Sequence, residues 1–312
     1  MTTTPLAERA IFALLGDASN DVPRRWLVAT LATLLVAWLW VVVFLGPYVR
    51  SALATSLASV APRQLLIAVL ATALGLIAAA TWRAKRGFAL MALMLLAYLG
   101  GTALSSVGFR LVDTTGATGW MRFSLQRLAY GLLVVAPMAV VWVMGRGAFG
   151  AFPEPLGSWT DRSRLFSRTG EVATWKQWMG GLALMAGIPF FLLMQFASGF
   201  PISDAVWFVL PAILMSLVNA TVEEVIFRGF VQPAVIGNVG VGLGLWAQGL
   251  FFGLHHFGLS VSLLGTLPGA VFVGVGSVAF GKSVLETRGL AWAIAAHMVF
   301  DIGVFCAFGQ RF

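Results

Sequence analysis

Apolar runs of about 20 residues, separated by short polar connections, make up most of this chain. Nine runs predict membrane-spanning helices, at residues 26–49, 64–82, 87–109, 128–145, 179–198, 205–230, 241–262, 264–281 and 289–309. A helix needs about 20 apolar residues to cross roughly 30 Å of hydrocarbon at 1.5 Å per residue. The runs lack the alternating polarity of a membrane barrel. The pattern predicts an all-α, polytopic membrane helix bundle with nine spans, or eight if two runs pair as re-entrant or half-length segments.

The composition agrees with this class and excludes a soluble globular domain. Of 312 residues, 59% are apolar and only 10% are charged. The formal net charge is +8, but the basic residues are scattered among the connections, so we expect no nucleic-acid binding. Connections on the N-terminal side hold 13 Lys and Arg, against 6 on the other side, which predicts a cytoplasmic N-terminus. We therefore expect an integral protein of the plasma membrane that contacts the lipid bilayer, with no cleavable signal.

One long polar connection, at residues 146–177, suggests a division of the chain. It carries acidic and basic residues interspersed with tryptophans, a composition typical of a segment that lies in the cytoplasm or on the membrane interface. We interpret residues 1–177 as an N-terminal membrane region of about four spans. Residues 178–312 are then the catalytic membrane core, because the chemistry-bearing residues all follow the connection.

Two adjacent carboxylates inside an apolar run give the first indication of function. Glu223 and Glu224 precede Arg228, and an unpaired charge at membrane depth costs several kcal/mol. On a helix, Glu224 pairs with Arg228 four residues later, whereas Glu223 shares its stripe with Asn219 and Phe227. The structural alternative is a salt-bridge cluster that fixes the register of two helices. Two carboxylates against one arginine leave a surplus charge, which favours a functional site.

The chain has only three histidines, and all lie in apolar runs of its last third. A solitary membrane histidine is usually a hydrogen-bond partner between helices, and this is our interpretation of His255. His256 has more support, because Gln248, Phe252 and His256 follow one another at a spacing of four and share one helix stripe. His256 is therefore the favoured member of the pair.

His297 and Asp301 form a second pair at helical spacing. The carboxylate of Asp301 is expected to orient the imidazole and fix its tautomer, although a simple packing hydrogen bond is the alternative. Counting residues from the cytoplasmic ends of the predicted spans puts Glu223 and His297 at a depth of ~13 Å. The same count puts His256 at ~22 Å, so helix tilt has to close part of the gap. We expect these groups to converge on a cavity reached from the cytoplasm.

Three motifs, in order and on separate apolar runs, carry a resemblance to a known family. They are Glu223-Glu224-x-x-x-Arg228, Phe252-x-x-x-His256 and His297-x-x-x-Asp301. Together they resemble the motifs of the CAAX protease and bacteriocin-processing family, the glutamic intramembrane endopeptidases that include the Ras-converting CAAX prenyl protease. The resemblance covers residues 205–308, and the first 177 residues are not part of it.

The resemblance implies a membrane helix bundle around a conical cavity that opens to the cytoplasm. It implies that Glu223, helped by Glu224, activates a water for attack on a peptide carbonyl. Arg228 holds Glu224 in place in this scheme. The implied substrate is a membrane-anchored peptide or protein, and no cofactor is needed.

The same resemblance assigns roles to the histidines. His256 holds the water, and His297 with Asp301 stabilises the oxyanion. Phe252, Asn219 and Gln248 are expected to support the site. The expected metal content is none.

Three alternatives remain open from the residues alone. Glu, His and Asp are all acceptable zinc ligands, so a zinc-dependent membrane hydrolase is one of them, although no His-Glu-x-x-His helix occurs. A proton-coupled transporter is the second, with Glu223, Glu224 and His297 as a relay, although no internal repeat is evident. A non-catalytic membrane scaffold is the third. A flux assay in proteoliposomes separates the transporter from an enzyme.

Overall fold

The structure is a computed structural model, and it describes most of the chain after its first quarter. The described residues are 73–78, 80, 81, 85–145, 147–149, 151–163, 173–199, 202–256 and 267–308. Of the predicted spans, 26–49 lies wholly and 64–82 in large part outside them. Throughout the described residues the fold is helical with no β-strand, which confirms the predicted all-α class.

In the described part of the chain, residues 73–78, 80 and 81 are helical, and nine further α-helices and two π-helical turns follow them in chain order. The α-helices are α1 (Arg86–Asp113), α2 (Gly119–Gly145), α3 (Trp175–Leu182), α4 (Ile188–Ser198), α5 (Ile202–Glu224), α6 (Gln232–Val239), α7 (Val241–His256), α8 (Leu267–Thr287) and α9 (Ala291–Phe308). The turn π1 (Ala183–Gly187) joins α3 to α4, and π2 (Val225–Val231) joins α5 to α6. Two long helical segments therefore run from α3 to α4 and from α5 to α6.

Five helical segments in the described part are long and apolar enough to cross a membrane. They are Arg86–Asp113, Gly119–Gly145, Trp175–Phe196, Val206–Val239 and Pro268–Thr287. The apolar stretch Ala291–Ala307 is shorter. These segments indicate an integral membrane protein, and the total of eight or nine spans stays a prediction.

Two helix boundaries differ from the sequence prediction. The helix predicted at 128–145 begins already at Gly119, so residues assigned to a polar connection belong to α2. Between the predicted runs 205–230 and 241–262, the glycine, proline and asparagine of residues 232–240 predict a break, which is wrong for all but the last residue because α6 continues to Val239. Pro233 is tolerated since it lies in the first turn of α6. The segment ends at Gly240, whose φ of 84° favours glycine.

The largest hydrophobic core joins both sides of the boundary predicted at residue 177. Leu90 of α1 and Val134 of α2 pack in one cluster with Phe227 of π2 and Phe252 of α7. A second cluster joins α4, α5 and α9, and a third surrounds Trp175 and the start of α9. The proposed division into two regions stays a prediction, but the packing of π2 depends on α1 and α2.

The connection before α3 is tied by backbone hydrogen bonds to the loop between α8 and α9. The Glu154 amide donates to the Arg288 carbonyl at 2.8 Å, and the Leu290 amide donates to the Glu154 carbonyl at 3.0 Å. The Trp292 indole also donates to the Trp175 carbonyl at 2.7 Å. These bonds hold the first turn of α9 in place, six residues before His297.

Helices α7 and α8 cross at glycines that allow very close approach. A Cβ atom placed on Gly249 would lie 2.7 Å from Val278 Cγ2 and 2.8 Å from the carbonyl oxygen of Gly274. A Cβ on Gly253 would lie 2.8 Å from Gly274 Cα. Small residues at such crossings let helix backbones touch in membranes. The crossing therefore sets the position of His256, which lies three residues after Gly253 on α7.

Candidate active site

Glu223 and Glu224 are the last residues of α5, directly before the turn π2. Both side chains are buried, with 2% and 0% of their residue surfaces exposed. Because the helix continues to Val239, Glu223 lies 16 residues from its end, farther than the predicted ~13 Å requires. His256 lies 15 residues from Val241, the first residue of α7. Turns such as π2 often occur at functional sites.

Glu224 is paired with a buried arginine, as the spacing predicts. The Arg228 Nη1 atom donates to Glu224 Oε1 at 2.9 Å, and neither side chain has any exposed surface. Its Nη2 atom donates to the hydroxyl of Ser277 on α8 at 2.7 Å. The guanidinium also lies 4.3 Å above the ring of Phe252. Arg228 thus links α5, α7 and α8 through one cation.

Glu223 lies between the two candidate imidazoles. Its Oε2 atom is 3.7 Å from Nε2 of His297 and 3.8 Å from Nε2 of His256. Its Oε1 atom is 3.7 Å from Nη1 of Arg127 on α2. These distances exceed those of direct hydrogen bonds, and polar atoms so spaced are commonly linked through water. The structure therefore brings the three predicted groups together.

The partner that orients His297 differs from the predicted one. Its Nδ1 atom donates to Oε1 of Glu224 at 2.8 Å, whereas Asp301 Oδ1 lies 3.6 Å from Nε2. Asp301 is instead held through its other oxygen, which accepts from Asn219 Nδ2 at 2.9 Å. Spacing along one helix reveals only partners on that helix, so it identified Asp301 and missed the carboxylate supplied by α5.

His256, rather than His255, faces the glutamate. The Nδ1–H of His256 donates to the carbonyl of Phe252 at 2.9 Å, which directs Nε2 toward Glu223. His255 instead makes a 2.7 Å hydrogen bond with the hydroxyl of Tyr98 on α1. This agrees with the interpretation of His255 as a partner between helices. The catalytic role of His256 stays a prediction.

Gln248 contributes to the support of Arg228 rather than to the surroundings of Glu223. Its Nε2 atom donates to the carbonyl of Ser277 at 3.1 Å and contacts the Ser277 hydroxyl at 3.3 Å. The stripe of Gln248, Phe252 and His256 therefore spans two environments. Its first member faces α8, and its last member faces the carboxylate.

Sequence reasoning missed three residues around the site. Arg127 was assigned to a connection because the start of α2 was placed too late. Its position between Phe123 and Tyr130, each about one helical turn away, is the signal that places it on a helix with two aromatic residues on the same face. Ser277 and Tyr98 carry no comparable signal, because a single hydroxyl on an apolar helix is common.

An apolar cavity of about 220 Å³ borders the imidazoles. His256, His297 and Asp301 line it on one side. Most of the remaining wall is aromatic, formed by Trp175, Trp178, Phe190, Phe252, Phe272, Phe280, Trp292 and Phe300. The site thus combines a few convergent polar groups with an apolar chamber, a combination typical of ligand-binding sites.

Among the residues that the structure describes, no three His, Cys, Asp or Glu side chains are grouped to hold one metal ion. The expected absence of a cofactor stays a prediction.

Comparison with known proteins identifies one family. Residues 205–303 match the sequence model of the family described as Type II CAAX prenyl endopeptidase Rce1-like. No curated protein matches the chain, and no solved structure matches it. The match contains all three motifs and confirms the resemblance over this third of the chain. Together with the apolar helices, it supports a CAAX-type protease embedded in a membrane.

Proposed function

We propose that this protein is a glutamic intramembrane endopeptidase that cleaves a membrane-associated peptide or protein with a water activated by Glu223. The observation that carries the proposal is the position of Glu223 Oε2, 3.7 and 3.8 Å from the Nε2 atoms of His297 and His256. At these distances the carboxylate and the two imidazoles surround one small molecule, with the carboxylate as base and the imidazoles as hydrogen-bond partners. This arrangement meets the geometric requirements for water-mediated acyl transfer.

His256 holds the attacking water in this proposal. Because its Nδ1–H is committed to the Phe252 carbonyl, the neutral ring presents the lone pair of Nε2 toward Glu223. A water between them then donates one hydrogen bond to His256 and the other to the carboxylate. Its own lone pair is left to point at the substrate.

The chemical step follows from these positions. Glu223 takes a proton from the water, whose oxygen bonds to the peptide carbonyl carbon as the carbonyl electrons move onto its oxygen. His297, in its cationic form, donates from Nε2 to that oxyanion. When the carbonyl re-forms, the C–N bond breaks and Glu223 returns the proton to the amine. No metal is required for this sequence.

The charges around the site support a cationic His297. The site holds three carboxylates and two guanidinium groups. Arg127 lies near Glu223 and Arg228 pairs with Glu224, whereas Asp301 lies 3.6 Å from Nε2 of His297. A positive imidazole ring balances the third carboxylate. Its Nδ1–H is held by Glu224, so the ring presents Nε2 in a fixed direction. Glu224 and Asp301 thus act by orienting and charging His297.

The environment suggests where the substrate is met. The cavity beside His297 is lined mainly by aromatic rings, which suits an apolar group on a substrate that is anchored in the bilayer. The distribution of Lys and Arg supports a cytoplasmic N-terminus and access from the cytoplasm, and we propose the plasma membrane as location.

The proposal is tested with purified protein in detergent and a panel of membrane-anchored peptides, with products identified by mass spectrometry. Glu223→Gln is expected to abolish cleavage while the unfolding temperature stays close to that of the native protein. Glu154→Gln is the matched control, because Glu154 lies in the connection before α3 and outside the site. This variant is expected to keep full activity. Full activity of Glu223→Gln would contradict the proposal.

Zinc content is tested on the same preparation. We expect cleavage to survive dialysis against a chelator, and elemental analysis to find no stoichiometric zinc. A stoichiometric zinc that leaves together with the activity would favour the metal-dependent alternative, in which Glu223 and the two histidines bind the ion.

A further inference from the structure

Arg127 brings a positive charge from α2 to the glutamate pair, and it lies outside the matched residues 205–303. Its Nη1 atom is 3.7 Å from Oε1 of Glu223. The other oxygen of the same carboxylate, Oε2, faces the Nε2 atoms of His256 and His297. The two oxygens of Glu223 therefore have different neighbours, a cation on one and the imidazoles on the other.

Aromatic rings fix the guanidinium of Arg127. It lies 5.2 Å from the ring centre of Phe123 and 5.8 Å from that of Tyr130, one turn away on either side along α2. Both rings are buried, whereas about a quarter of the arginine side chain, 24%, is exposed. Cations over aromatic faces are attracted by the ring quadrupole. Arg127 therefore keeps part of its hydration while its charge is held in one place.

Glu223 needs such a partner more than its neighbours do. Glu224 accepts hydrogen bonds from Arg228 and His297, and Asp301 accepts one from Asn219. Within the described part of the chain, the Oε2 atoms of Glu223 and Glu224 are both buried without a hydrogen-bond partner, but Glu224 accepts two bonds through Oε1, whereas Glu223 accepts none. A glutamate without direct bonds can turn about its terminal torsion. The charge of Arg127 favours the orientation in which one carboxylate oxygen faces the guanidinium and the other faces the imidazoles.

We propose that Arg127 is a positioning residue for Glu223, which holds one carboxylate oxygen and thereby directs the other toward the water held by His256. The catalytic consequence of this inference rests on the proposed function, whereas the contact between Arg127 and Glu223 does not. The N-terminal region, which the family match does not cover, thus supplies a side chain that the catalytic motifs depend on.

The kinetic test compares Arg127→Gln, Arg127→Lys and the native protein on a cleaved peptide. Misdirection of the base lowers kcat by roughly 10- to 100-fold in Arg127→Gln. KM changes by less than about twofold, because substrate binding is untouched. Arg127→Lys, which keeps the charge, recovers most of the loss. Arg122→Gln is the matched control on the same helix and keeps native activity, since Arg122 pairs with exposed Asp113.

A second measurement does not depend on catalysis. The unfolding midpoints of Arg127→Gln, Glu223→Gln and the double variant form a double-mutant cycle. Coupled residues give a double variant that is less perturbed than the sum of the single effects. Strict additivity would overturn the proposal, whether or not the protein is a peptidase.

The outcomes separate the two proposals. Native kcat in Arg127→Gln, or a loss confined to KM, would overturn the positioning role while leaving the peptidase intact. A lysine variant no better than glutamine would also overturn it, because the charge would then not matter. Cleavage retained in Glu223→Gln would overturn the proposed function instead. The double-mutant cycle would still show whether Arg127 and Glu223 are coupled.

Discussion

His297 donates its Nδ1–H to Oε1 of Glu224 at 2.8 Å, and the same oxygen accepts the Nη1–H of Arg228 at 2.9 Å. The second glutamate of the pair is therefore an organising group with two buried donors. The first glutamate has no direct hydrogen bond of this kind and faces its neighbours at longer distances. Two adjacent residues of the same type thus have separate parts in the site, one structural and one proposed to be chemical.

This difference predicts unequal effects on stability for the two glutamine variants. Glu224→Gln leaves the fully buried Arg228 without a compensating charge, and breaking a buried pair costs about 3–5 kcal/mol. Glu223→Gln loses no direct hydrogen bond, so we expect a change below about 1 kcal/mol. Denaturant-induced unfolding in mixed micelles measures both variants under the same conditions.

Each of the two variants is the control for the other, because both changes remove one charge from neighbouring positions. Equal losses of stability would contradict the separate parts assigned to them. An equal loss of activity would not, since Glu224→Gln is also expected to misalign His297.

The hydrogen bond between Tyr98 and His255 predicts a dependence of the site on α1. Tyr98→Phe leaves a partly buried imidazole nitrogen without its partner, at an expected cost of about 1 kcal/mol. Because His255 precedes His256, the loss also frees the last turn of α7, and kcat is expected to fall. Thermal unfolding and cleavage rate are measured together.

Thr102→Val is the control for this variant. It removes a hydroxyl one turn further along α1 that donates to the backbone carbonyl of Tyr98 at 2.8 Å and makes no bond to His255. A change of less than about 0.5 kcal/mol is expected. If the two variants behaved alike, the bond to His255 would not be an anchor of α7.

The crossing of α7 and α8 predicts that Gly253 cannot be enlarged. A leucine there meets the backbone of Gly274, so the helices must separate and His256 moves away from Glu223. We expect Gly253→Leu to lose both activity and thermal stability. Gly100→Leu, on an exposed part of α1 with no neighbouring atoms around its Cβ position, is expected to keep both. A stable and active Gly253→Leu would show that the close crossing is not needed.

The sequence predicts those parts of the site that arise along one helix. The spacing of four between Glu224 and Arg228 is enough to give their ion pair, and the spacing from Phe252 singles out His256. The approximate positions of the helices, though not all of their boundaries, follow from hydropathy, because membrane helices satisfy their own backbone.

Contacts between helices are beyond such patterns. The bond from His297 to Glu224 joins residues 73 positions apart, and nothing in their local sequence distinguishes it from the nearer Asp301. The sequence pattern places Arg127 in a connection rather than in a helix, because charges near the end of an apolar run indicate a connection. The depth of Glu223 was misjudged because glycine, proline and asparagine after Val231 indicate a break, whereas tertiary packing keeps this segment helical.

The cavity beside His297 yields the sharpest prediction about the substrate. Gly276 lines this cavity on α8, and its Cβ position has no other atoms nearby, so a larger side chain projects into the space without displacing the fold. Gly276→Phe therefore fills much of the chamber and excludes an apolar substrate group, whereas Gly276→Ala leaves it open. Cleavage of a membrane-anchored peptide is expected to fall at least about tenfold in kcat/KM for phenylalanine only. Unfolding temperatures should match for both variants, because neither creates a clash. Equal activity in both would mean that the substrate reaches Glu223 without entering this cavity, and the binding site would have to be sought on the Arg127 side of the carboxylate.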